Sequence, residues 1–204
     1  MDFTLLDLSS AAGLAATVAL TLNFLLGMML GTAYKKAWYW QKLPAPLKRI
    51  RVFAVHNWTA YGALALAVVH PLLLVVDKTS RFAVVDVLFP LHAPHQPLFV
   101  AAGTLAFYAL LVVVLTSLPA IRRQLSYRVW KNVHLASYGT ALLFVVHGVV
   151  MDPLLKDRPV DFFDAEKLLS EGCALLLLLA TAYRVRYHLA NAKVRPQSQK
   201  GGAE

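Results

Sequence analysis

The sequence holds one cysteine, Cys173, among 204 residues. A lone cysteine excludes an intrachain disulfide, a cysteine zinc cluster and a CxxCH haem attachment site. Charge is scarce too: 15% of residues are Asp, Glu, Lys or Arg, against about 25% in soluble domains. No GxGxxG run occurs, so that dinucleotide-binding fingerprint is missing. A Pro-Glu-Trp-Tyr quinol-site element is missing as well. No segment between the apolar stretches exceeds about 20 residues, too few for a second globular domain of about 50 or more.

Hydrophobic residues are abundant instead, at 58%. They gather in five stretches, 11–33, 52–76, 98–118, 131–151 and 168–190, each near or above the ~20 residues that span a bilayer. The sequence predicts an all-α protein: a transmembrane bundle of about five spanning helices, one domain over residues 1–195. The remainder, 196–204, reads as a polar, disordered cytoplasmic tail. The first stretch is preceded by Asp2 and Asp7 with no basic residue, unlike a secretory signal, and reads as a retained helix.

The net charge of +9 is unevenly placed. Basic clusters follow the first stretch (Lys35 to Arg51), the third (Arg122 to Lys131) and the fifth (Arg184 to Lys200). The alternate segments carry few bases and nearly all the acids. By the positive-inside rule the N-terminus lies outside and the C-terminus in the cytoplasm, as in a bacterial inner membrane protein. Bases abutting spans set topology and touch anionic lipid, so membrane lipid is the expected partner and nucleic acid is not.

Four histidines fall inside these stretches: His56 and His70 in the second, His134 and His147 in the fourth. Spacings of 14 and 13 residues separate each pair by about 20 Å along a helix. An imidazole in hydrocarbon needs a partner, because an unsatisfied polar group there costs several kcal/mol. The second and fourth helices run in the same direction, so His56 should face His134 near the cytoplasm and His70 should face His147 near the outer surface. That is the pattern expected of two b-type haems stacked across a membrane, each held by two histidines. Zinc is excluded, since its three or four ligands must share one small sphere. The angles are less tidy: at about 100° per residue, 14 steps fall some 40° short of four turns and 13 steps some 140° short. The fourth helix is therefore either locally distorted or binds its two groups at different azimuths. Pro71 permits a kink beside His70, and Gly62, Gly139 and Gly148 offer close approach to the backbone.

The run from Tyr127 to Tyr138 (Tyr-Arg-Val-Trp-Lys-Asn-Val-His-Leu-Ala-Ser-Tyr), continuing to His147, resembles the ferric reductase-like transmembrane domain family. So do Arg49–His56, His70, and Leu115-Thr116-Ser117-Leu118-Pro119 before Arg122 and Arg123. The likeness covers roughly residues 48–150. It implies a helical haem core that moves electrons from the cytoplasmic side to an acceptor outside, with His56, His70, His134 and His147 as haem ligands. Relatives commonly continue into a flavin and nicotinamide domain. Without one, the chain resembles the short bacterial members that serve as haem subunits and draws electrons from a separate cytoplasmic flavin reductase or quinol, passing them to an extracytoplasmic redox partner. A quinol-oxidising cytochrome b subunit of a respiratory complex is the nearest alternative. A transporter with a histidine proton relay is the non-redox one.

Arg51, Arg128 and Lys131 lie near the inner histidines and are candidates to pair with haem propionates; the positive-inside rule accounts for them equally well. Trp130, His134 and Tyr138 share one helix face. His92 and His95 make a weak metal site, two ligands being too few, and a solvated loop accounts for them better. His188 reads as interfacial, and the acids Asp152, Asp157, Asp161, Asp164 and Glu166 as a hydrated face.

Overall fold

In the computed structural model, residues 4–155 and 165–200 are described. Among them are no strands, and five segments are long and apolar enough to cross a membrane. Helix α1 is Leu5–Leu30, α2 is Val52–Val76 and α3 is Pro97–Ser117. The fourth span is two helices in succession, α4 Tyr127–Leu135 and α5 Ser137–Leu155. The last, α6, is Ala165–Lys200. It therefore continues into the segment expected as a tail, of which 201–204 lie outside the described residues. Asp157, Asp161 and Asp164 also lie outside them.

Local chemistry sets the ends. Thr4 and Asp7 cap α1 reciprocally: Asp7 N–H donates to Thr4 Oγ1 at 3.2 Å and Thr4 N–H to Asp7 Oδ2 at 3.1 Å, a capping box. Beyond α2, buried Asp77 accepts from the Ser80 amide at 2.9 Å, and Ser80 Oγ donates to the Leu74 carbonyl at 2.6 Å. That knot turns the chain into a connection holding one short helix, Val84–Leu88, and a 3₁₀ turn, Pro90–His92.

Helices α1, α2, α3 and α5 are apolar around their whole circumference, as membrane spans are. Leu98 is 81% exposed, Leu178 68% and Leu142 65%, side chains that face lipid in a spanning bundle. Inside, α1 packs along α2, and α3 along α5, with α6 against α1. The two histidine-bearing spans scarcely touch each other's backbone. Each is backed by a helix that carries no histidine.

The core divides the bundle into levels. Leu20, Ala63, Leu110 and Phe144 form a buried cluster, and Ala63 is midway between His56 and His70 in sequence. A second cluster, with Leu74, Phe82, Val100 and Met151, closes the end beyond His70 and His147, Phe82 coming from the folded connection.

Candidate functional site: two facing histidine pairs

The structure brings the four histidines together as two pairs. The His56 and His134 ring centroids are 6.2 Å apart with their planes at 68°. His70 and His147 repeat this at 6.2 Å and 74°. An imidazole nitrogen bonds a metal at about 2.0 Å, and a ring centroid lies roughly 1.1 Å behind that nitrogen, so two imidazoles on one metal axis place their centroids about 6.2 Å apart. Both pairs have the spacing of axial ligands sharing one ion.

For three of the rings a backbone carbonyl fixes the tautomer. His70 Nδ1 lies 2.8 Å from the Ser9 carbonyl, His56 Nδ1 3.1 Å from the Asn23 carbonyl, and His147 Nδ1 2.8 Å from the Phe99 carbonyl. A carbonyl only accepts, so each Nδ1 carries the proton and donates it. Each Nε2 keeps its lone pair, as a metal-ligating histidine requires.

Every one of these carbonyls is followed four residues later by glycine: Ser9 by Gly13, Asn23 by Gly27, Phe99 by Gly103. The reason is helical geometry. Each Cβ tilts toward the helix N-terminus and overlies the preceding turn, so a side chain at i+4 would cover the carbonyl at i. The rings occupy that vacated space. A Cβ on Gly103 would lie 2.7 Å from His147 Nδ1, one on Gly13 3.0 Å from His70 Nδ1, and one on Gly27 3.1 Å from His56 Cε1.

Helix α1 carries this unit twice. Ser9 Oγ donates to the His70 carbonyl at 2.9 Å, and Asn23 Nδ2 donates to the His56 carbonyl and, at 2.9 Å, to Thr59 Oγ1. The Ser9–Gly13 and Asn23–Gly27 units stand 14 residues apart, matching the 14-residue spacing of His56 and His70. Two antiparallel helices are thus locked at both levels. The sequence carried this signal as a polar residue and a glycine four apart, repeated at the histidine interval. The glycines singled out by sequence reasoning do not supply it: a Cβ on Gly62 or Gly139 would meet nothing within 4 Å, and one on Gly148 only Thr17 Oγ1 at 3.8 Å.

The fourth span resolves part of its angular problem by local distortion. Ala136 separates α4 from α5, and its amide is shared between the Asn132 carbonyl at 3.2 Å and the Val133 carbonyl at 3.0 Å. That is a tightening toward 3₁₀ geometry, which adds about 20° per residue, in the direction the 13-residue spacing lacks.

Around His56 and His134, Trp130 stacks on His134 with centroids 5.0 Å apart and planes at 23°. The Arg122 guanidinium sits 4.5 Å over Trp130, a cation–π contact. Arg51, Arg128 and Lys131 are all exposed at this end, Lys131 with its ammonium 5.7 Å over Tyr127. Arg122 is the base that lies over the stacked Trp130, and sequence reasoning counted it only in the basic cluster and the family-like run, not among the site residues. Around His70 and His147 lies a cavity of about 200 Å³, lined mainly by apolar side chains such as Leu14, Phe107 and Phe144, with Glu166 and Ser170. His95 packs near Phe82 at 6.2 Å. His188 is exposed beside Tyr187, away from both pairs.

Among the described residues no group of three or more His, Cys, Asp or Glu could hold a metal. Two facing imidazoles suit a metal that brings its other ligands with it, as porphyrin iron does. The family profile described as "Ferric reductase like transmembrane component" matches residues 12–145. The chain belongs to the ferric reductase-like transmembrane family. It is accordingly an integral membrane protein with a redox role, from a family that binds haem. The matched region takes in His56, His70 and His134 and ends two residues before His147. No curated protein and no solved structure matches the chain.

Proposed function

We propose that this ferric reductase-like chain is a di-haem b-type cytochrome that carries electrons across a bacterial inner membrane. Its donor is a cytoplasmic flavin reductase or quinol, and its acceptor an extracytoplasmic redox partner. The supporting observation is the pair of matched gaps, each 6.2 Å between imidazole centroids, with Nδ1 of His56, His70 and His147 donating to backbone carbonyls and their Nε2 lone pairs left free. His56 and His134 would hold the inner group, His70 and His147 the outer one.

A haem held by His56 and His134, or by His70 and His147, would supply one-electron transfer. The protein's part is to hold and insulate. Ser9, Asn23 and Phe99 orient three of the imidazoles through their carbonyls. The cluster of Leu20, Ala63, Leu110 and Phe144 keeps water and polar groups out of the interval between levels. Basic residues at the His56/His134 end, Arg51, Arg128 and Lys131, supply positive charge for propionates and for an acidic donor surface. By the positive-inside rule that end faces the cytoplasm.

Pyridine haemochrome assay of the purified protein should give two b-type haems per chain. His70→Ala and His147→Ala should remove the same haem, and His56→Ala and His134→Ala the other. A colourless protein, or loss of different haems within a pair, would refute the assignment.

A further inference from the structure

Three imidazoles bond a backbone carbonyl over a glycine; the fourth does not. Gly103 lies in α3 opposite His147. Fourteen residues on, where the same register would place a glycine opposite His134, stands Ser117. Its hydroxyl donates to the Val113 carbonyl at 2.8 Å. That carbonyl is the counterpart of Phe99's, four residues before the glycine position, and it also accepts from Thr116 Oγ1 at 3.2 Å. Covered and doubly bonded, it is closed to His134. His134 Nδ1 instead lies 3.5 Å from Ser117 Oγ, at the long limit of a hydrogen bond. Trp130 Nε1 donates to the same oxygen at 3.3 Å, so the oxygen is shared.

We infer that Ser117 is a positioning residue that makes the His56/His134 centre electronically unlike the His70/His147 centre. This rests on the two-haem reading. A strong Nδ1–H bond to a carbonyl raises the electron-donating power of an imidazole and so favours the oxidised metal. His134, held by a long bond to a shared hydroxyl, donates less than its three counterparts. The stacked Trp130 with Arg122 over it adds positive charge on the same side. Both effects favour the reduced form, so Ser117 raises the midpoint potential of the centre His134 serves.

The test is a redox titration of full-length, haem-loaded protein, followed in the reduced absorption bands. Ser117→Gly uncovers the Val113 carbonyl and gives His134 the arrangement of the other three, so one midpoint should fall while the other stays. Ser117→Ala leaves Nδ1 without an acceptor, and the same midpoint should rise. Ser117→Thr keeps the hydroxyl and should restore the wild-type value, with two haems per chain throughout. Unchanged midpoints, equal movement of both, or haem loss in the glycine variant would overturn the role of Ser117 while leaving the two-haem reading intact. A wild-type chain without haem overturns that reading, and this one with it.

Discussion

Gly103→Ala is the smallest change that tests whether the glycines seat the histidines. The new methyl carbon would lie 2.7 Å from His147 Nδ1, 2.8 Å from Cε1 and 3.0 Å from Cγ. Ordinary contact begins at 3.4 Å, so ring or helix must give by roughly 0.7 Å. The ring cannot yield freely. Its Nδ1 is tied to the Phe99 carbonyl at 2.8 Å, and its other face looks onto His70 at 6.2 Å. Retreat would stretch the hydrogen bond to roughly 3.5 Å, the long limit at which most of its strength is gone, or close the gap to about 5.5 Å, too narrow for an ion with two nitrogens at about 2.0 Å each. Losing the orienting bond of a metal-bound histidine costs about 10–100-fold in affinity, or roughly 1.4–2.7 kcal/mol. Gly13→Ala, at 3.0 Å from His70, should cost less, and Gly27→Ala, at 3.1 Å from the far edge of His56, least. Gly172→Ala is the control, because its Cβ would meet nothing within 4 Å. Haem retention through graded detergent washing, read by pyridine haemochrome, ranks the four. The reasoning fails if Gly103→Ala retains both haems as Gly172→Ala does, or loses the one held by His56 and His134.

Two further outcomes follow from other contacts. Asn23→Leu removes a donor to the His56 carbonyl and to Thr59 Oγ1; it should perturb the reduced spectrum of the His56/His134 centre alone, and a change confined to the other centre would count against the two-level arrangement. Gly31→Ala drives a methyl into the Arg184 guanidinium. It should break that guanidinium's 3.3 Å bond to the Met28 carbonyl, lowering stability by about 1 kcal/mol with the haem spectrum unchanged. Thermal melting in detergent measures this, and Arg184→Ala should reproduce it.

The spans were legible because hydropathy is a one-dimensional property. Val52–Val76 forms over the residues its apolar run predicts, and the others differ by several residues at their ends, except that α6 runs on to Lys200, through much of the segment expected as a tail. The histidine pairing was legible too, because parallel helices leave one order of contact. The break at Ala136 was legible only as a need: 13 steps demanded a distortion without saying where. What backs each ring was missed for a physical reason. A glycine's function here is to expose a carbonyl on its own helix to a side chain from another, and no pattern within the histidine helices records it. Arg122 was missed because its neighbour Trp130 lies on a different helix, and their contact depends on the turn between Ser117 and Tyr127.

The backing also bears on why the site has this form. A neutral imidazole has one donor and one acceptor, and in hydrocarbon both need partners. The carbonyls of Ser9, Asn23 and Phe99 satisfy three donors. The acceptors remain, two at each level, and two acceptors cannot bond to each other. What satisfies both is an electrophile between them, and the apolar walls, together with two spans held apart by helices behind them, suit a flat apolar group around that electrophile. Because α1 and α3 hold three of the rings through their own backbones, and α3 meets the fourth through Ser117, the protein itself sets each gap. Little ordering entropy then remains to oppose binding. On this view the histidine-free helices set the affinity, and substitutions at Gly13 or Gly103 should weaken haem retention even though neither residue could ever touch iron.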